Sequence, residues 1–127
     1  MLLGVSLLLC PFVFATLARD AGLDGSDPVS VVDMGCGKGY LTFAVHDWLR
    51  SRGPAVPAVR GIEARAELVE TCNRVAAECE AAGLTFEAGH IADLPAGPVD
   101  VLIALHACDT ATDDALAHGV AAGARLI

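Results

Sequence analysis

Residues 29–41, Val29-Ser30-Val31-Val32-Asp33-Met34-Gly35-Cys36-Gly37-Lys38-Gly39-Tyr40-Leu41, decide how the rest of the chain is read. Val29 to Met34 is a short β-branched run, the mark of a parallel strand buried on both faces. Glycines at 35, 37 and 39 break it. Beyond them Leu41, Ala44, Val45, Trp48 and Leu49 recur at helical spacing over 40–52, until Gly53 and Pro54 end the helix. Open parallel sheets bind their ligands at such a strand–bend–helix junction. Glycine there permits a tight turn and close approach of a ligand to the backbone. The first N–H groups of the helix suit an anion.

The same alternation continues downstream. A second strand falls in 57–63, centred on Val59 to Ile62. A helix over 66–82 follows, with Leu68, Cys72, Val75, Cys79 and Ala82 stepping by 4, 3, 4 and 3, and Gly83 stops it. Leu84 to Ala88 reads as a third strand, Leu94 to Pro98 as a loop, and Val99 to Leu105 as a fourth strand apolar enough to be central. Thr110 and Asp113 make a capping-box-like start for a helix to about Ala122. Gly123 ends it, and Arg125 to Ile127 opens a fifth strand. Strands alternating with helices imply right-handed βαβ units. The expected fold is α/β, a Rossmann-like parallel sheet with helices on both faces, truncated at about the fifth strand.

Upstream, residues 1–28 form an apolar segment and a polar loop, leaving 29–127 as a partial domain. Leu2 to Ala18 carries no charge. It lacks a basic leader, Pro11 interrupts it, and its length is at the short limit for a membrane span. A core-covering helix or a misassigned gene start is the preferred reading, ahead of a signal-like segment and then a span.

With 54% hydrophobic residues and a mean hydropathy of +0.55, much of it alanine, the chain is globular rather than disordered. Sixteen acidic against eight basic residues give a net charge of −8. Such a surface repels phosphate backbones and anionic lipid, so neither nucleic-acid nor membrane binding is expected of this chain alone. Five cysteines, Cys10, Cys36, Cys72, Cys79 and Cys108, form no CxxC pair and are odd in number. Neither a zinc site nor a disulfide framework is suggested, and a reducing, cytoplasmic setting follows. Cys72 and Cys79 are expected to be buried thiols on one helix face.

Three ligands compete for the glycine bend. A Walker A loop needs GxxxxGK[ST], but Lys38 is followed by Gly39. A dinucleotide loop needs GxGxxG, and counting from Gly35 its last glycine would be Tyr40, which obstructs close helix–strand packing. The pattern present is D-x-G-x-G-x-G. Asp33, two residues before the first glycine, repels a pyrophosphate but can engage an amino-acid ammonium, directly or through water. S-adenosylmethionine carries that ammonium and no phosphate. A bend without a ligand, and an NAD site, are the remaining alternatives.

Asp33 to Gly39 resembles motif I of the class I S-adenosylmethionine-dependent methyltransferases. The longer string VVDMGCGKGYLTFAVHDWL, with GIEAR and ALHACDTATDDA, is similar to a narrower branch of methyltransferase-domain proteins, from about Val31 to Ile127. The resemblance implies S-adenosyl-L-methionine as cofactor, held by Asp33, Gly35, Cys36, Gly37 and Gly39, with direct in-line transfer of the methyl group and no metal. Glu63, at the end of the second strand, can accept both ribose hydroxyls. Methyltransferases often carry Gly-Asp after the third strand; here Gly89 is followed by His90, so His90 and Ile91 are the candidates to flank the adenine.

The fourth strand ends in Leu105-His106-Ala107-Cys108-Asp109, which should border the methyl-transfer centre. The Asn/Asp-Pro-Pro-aromatic motif of many amine methyltransferases is absent there. His106 is the candidate general base and Asp109 the candidate to orient a substrate donor; cofactor contact and helix capping are their alternatives. The acceptor stays open among RNA, protein and small molecules. A non-catalytic S-adenosylmethionine-binding or nucleotide-binding module is the competing function.

Overall fold

In the computed structural model, residues 2–93, 97–105 and 110–127 are described, with side chains except at 2–10, 91, 110 and 111. Four strands, β1 (Ser30–Met34), β2 (Ala58–Glu63), β3 (Leu84–Ala88) and β4 (Val101–Ile103), alternate with helices α1 (Leu2–Asp20), α2 (Tyr40–Arg52), α3 (Ala66–Glu78) and α4 (Thr110–Ala121). The strands form one parallel sheet in the order β3-β2-β1-β4. Leu126 adds a parallel bridge to Val101 on the far side of β4, so the expected fifth strand begins in its expected place. Asp100 knits this edge together: Oδ2 accepts the Ser30 N–H at 2.8 Å, and its carbonyl accepts the N–H groups of Arg125 and Leu126.

Alternation along the strands divides the core into two layers. Val31, Val59, Leu84, Phe86, Val101 and Ile103 point to one face and pack with residues of α1, α2 and α3. Val32, Met34, Ile62 and Leu102 point to the other and pack with Ala115 of α4. Helices therefore cover both faces of a parallel sheet, which is why its strands read as continuous apolar runs.

The apolar N-terminal segment is a helix that continues through Pro11. Phe14 and Ala18 are buried in the first layer, and Phe14 meets Trp48 of α2 edge-on at 5.6 Å between ring centroids. No helix among the described residues is long and apolar enough to cross a membrane.

Two expectations need correcting. α3 stops at Glu78, before the expected Ala82, and its buried stripe is Cys72 and Ala76; Cys79 is exposed. A Schellman turn ends it: the Glu80 N–H bonds to Ala77 and the Ala81 N–H to Ala76, with Glu80 at φ 51 in the position glycine usually takes. β4 is also shorter than expected, since its pairing with β1 covers only Val31 to Asp33.

Candidate functional site

The order β3-β2-β1-β4 reverses direction at β1, so the carboxyl ends of β1 and β4 flank a switch point, the usual ligand crevice of an open α/β sheet. The glycine bend lies there. Gly35, Gly37 and Gly39 all have positive φ, at 71, 58 and 77°. The bend is anchored to β2: the N–H groups of Gly35 and Cys36 both reach the Ile62 carbonyl, at 2.8 and 3.0 Å. α2 then starts at Tyr40 with no side-chain cap, so a ligand can meet its first N–H groups.

Two of the glycines face different surroundings. A Cβ on Gly39 would crowd Cys72 Sγ and the Phe86 ring at 3.1 Å, in a left-handed backbone that favours glycine. At Gly35 nothing lies within 4 Å of the same point, and the backbone is open to a close neighbour.

Two buried carboxylates support the bend. Asp33, at 5% exposure, accepts the Thr42 hydroxyl on Oδ2 at 2.7 Å, tying the end of β1 to the first turn of α2. Glu63, at the end of β2 and also buried, accepts the Gly37 N–H on Oε2 at 2.9 Å. Its Oε1 takes Arg65 Nε at 2.8 Å and the Arg65 N–H at 3.3 Å. The hydrogen bond from the Arg65 side chain, then those from the main chain, outweigh burial and hold the Glu63 carboxyl below the usual range.

Cys36 is half-buried. Burial first, then the charges of Asp33 and Glu63, push its thiol up to about 12. It stays protonated at neutral pH and is no nucleophile.

The candidate residues thus separate into three groups. Asp33, Gly35, Cys36, Gly37, Gly39 and Glu63 converge on one bend. His90 is exposed beyond β3, ahead of a 3-10 turn at Ile91–Asp93, and Leu105 is exposed in a turn just past β4. The Ile91 side chain, His106 and Asp109 lie outside the described residues. His46 is a packing residue, buried with a ring nitrogen bonded to the Ala82 carbonyl at 2.8 Å. Among the described residues no group of three His, Cys, Asp or Glu side chains comes together to hold a metal.

Sequence reasoning missed Thr42 and Arg65. Thr42 sits nine residues after Asp33, in the third position of the helix, where a hydroxyl can reach back to the preceding strand end. Arg65 stands inside the string GIEAR, yet only the fold turns its side chain back onto Glu63.

A four-stranded parallel sheet carrying a glycine bend and an acid at the end of the next strand defines a Rossmann-like α/β cofactor-binding domain. A methyltransferase-domain family matches residues 10–127, and the chain belongs to that family. The match begins some twenty residues earlier than the resemblance from Val31 onward, and takes in most of α1. Among solved structures, the chain is similar to magnesium protoporphyrin IX methyltransferase from Synechocystis PCC 6803 with bound SAH, at 24% identity and TM-score 0.64, covering 89% of this chain and 49% of that one. The same enzyme with bound SAM gives 24% identity, TM-score 0.65 and coverage of 89% and 52%. YcgJ from Bacillus subtilis matches at 20% identity and TM-score 0.56, covering 82% of this chain and 44% of that one. At these identities the likeness is one of fold. The chain spans about half the length of the protoporphyrin methyltransferase. No curated protein matches it.

Proposed function

We propose that this domain binds S-adenosyl-L-methionine at the glycine bend and serves methyl transfer to an acceptor placed at the carboxyl end of β4. The observation that carries the reading is the junction of Glu63 with Gly37, beside a backbone left open at Gly35. A carboxylate has about four acceptor sites, and Glu63 uses three on protein donors, leaving capacity facing the crevice for a ribose hydroxyl. The open backbone at Gly35 accommodates the amino-acid portion of the ligand. Asp33 is buried and already engaged by Thr42, so it favours the ammonium through its field and through water. The residues present fit the cofactor.

When bound, the cofactor supplies an electrophilic methyl group on a cationic sulfur. This chain contributes positioning, which is worth most where the electrophile is already activated. His106, next in sequence after Leu105, is assigned as the base that takes the acceptor's proton, and Asp109 as the group that orients the acceptor. His90 and Ile91 are assigned to the adenine side. The net charge of −8 disfavours a phosphate backbone, and RNA, protein and small-molecule acceptors are separated by a methyl-transfer screen.

Calorimetric titration with S-adenosyl-L-methionine and S-adenosylhomocysteine tests the binding step. Saturable binding is expected, lost in Glu63→Ala and weakened in Thr42→Val, whose hydroxyl orients Asp33. NADH binding with no response to S-adenosylhomocysteine would replace this reading with a dinucleotide one.

A further inference from the structure

Arg65 stands where the chain leaves β2 to enter α3, two residues beyond Glu63. Its side chain folds back rather than outward. Nε and the main-chain N–H both donate to Glu63 Oε1, at 2.8 and 3.3 Å, while Oε2 holds the Gly37 N–H. Nη2 comes within 3.9 Å of the point a Cβ on Gly37 would occupy, so the guanidinium reaches from the carboxylate to the glycine bend. Sixty per cent of the Arg65 side chain is nevertheless exposed, against 8% for Glu63.

An exposed ion pair is usually worth little, because two long side chains must be ordered in water. Here one partner is buried and fixed by a main-chain bond on its other oxygen. Only the arginine has to be ordered, and its planar fork loses little freedom per bond formed.

We propose that Arg65 is a positioning residue for the adenosyl group: with both of its donors on Oε1, it fixes the Glu63 carboxylate in an orientation that serves Gly37 and leaves an acceptor site on Oε2 for a ribose hydroxyl. The inference rests on the cofactor reading above. Charged and titratable groups reach this pair from several elements. Cys36 reaches it from the bend and Cys72 and Glu67 from α3, while Asp33 of β1 acts on Cys36. Burial raises both thiols, so they stay neutral. The Arg65 side-chain hydrogen bond is the largest cause of the lowered Glu63 carboxyl.

The test uses the full chain and two measurements. In the ligand-free protein the Gly37 amide resonance, bonded to Glu63, reports that carboxylate's titration. Arg65→Ala is expected to move its inflection to higher pH, Arg65→Lys to give an intermediate shift, and Glu63→Gln to abolish it. In titrations with S-adenosylhomocysteine, Arg65→Ala is expected to weaken binding about tenfold, the scale of one hydrogen bond to a charged group. In a Glu63→Gln background it should change affinity by less than about twofold, since a double-mutant cycle isolates the coupling. An unmoved inflection, or an equal loss in both backgrounds, overturns the positioning role while leaving the cofactor reading intact. A wild-type protein that shows the inflection but binds no S-adenosylhomocysteine overturns the cofactor reading, and this role with it.

Discussion

The glycine bend leads into α2 and the N-terminal helix packs on α2, and the two are held by opposite means. At the bend, directional bonds dominate: Ile62 to Gly35 and Cys36, Glu63 to Gly37, and Thr42 to Asp33. α1 is held by burial, with Phe14 edge-on to Trp48 and Ala18 enclosed against the first core layer. Directional bonds dictate residue type at each position, whereas burial asks only for apolar volume of about the right size. The bend is therefore expected to tolerate few changes, at a cost in stability, in binding on the proposed reading, or in both. The helix tolerates many and reports them as lost stability.

The sharpest break of that contrast is Phe14→Ala. Deleting a buried aromatic ring leaves a cavity as well as lost contacts, and about 3 kcal/mol of unfolding free energy should go with it. Urea titration reads the loss as a lower midpoint at unchanged slope. A loss under about 1 kcal/mol would mean that α1 does not belong to the domain's cooperative core, and the comparison would collapse.

A smaller effect is expected from paired substitutions inside the bend. Gly39→Ala places a methyl against Cys72 and Phe86 in a left-handed backbone, for a cost of about 2 kcal/mol from strain and overpacking together. Gly35→Ala bears the backbone strain alone, about 1 kcal/mol, but fills the open approach. Thermal unfolding and S-adenosylhomocysteine titration should separate the two: Gly39→Ala is the less stable, and Gly35→Ala binds at least about tenfold more weakly at near-native stability. Equal binding by Gly35→Ala and the wild type would remove the bend from the ligand site.

The same division explains what could be read from sequence. The extent of α2 and the place of β3 were legible because glycine, proline and apolar period agree there; so was the position of the glycine bend between β1 and α2. The fate of α1 was legible only in part. A core-covering helix was the preferred reading of an uncharged stretch, shared with a misassigned gene start and ahead of a leader or a span, and the contact of Phe14 with Trp48 agrees with the helix. The end of α3 was misread because Glu80 adopts a conformation that sequence normally assigns to glycine. Within the site, Asp33 and Glu63 could be singled out as acids at strand ends. Their partners Thr42 and Arg65 could not, because each contact depends on how a helix start or a strand exit is turned in space.

The smallest expected effect sharpens the polar half of the comparison. Glu63 carries a carboxyl whose ionised form is favoured by the fold, so its folded pKa lies below the unfolded value near 4.5. The stabilisation is therefore complete above the unfolded value and disappears as pH falls through the folded one. Glu63→Gln keeps an acceptor for Gly37 but gives up the charge that meets Arg65. At pH 7 the variant should be less stable by about 1 kcal/mol, at the low end for charged hydrogen bonds because Arg65 is open to water. Other carboxylates titrate alike in both proteins, so the difference in unfolding free energy isolates this one group. That difference should narrow progressively below about pH 4.5. A gap that stays constant from pH 7 down through the acid limb would show that burial and shape hold Glu63 in place, with no contribution from its charge.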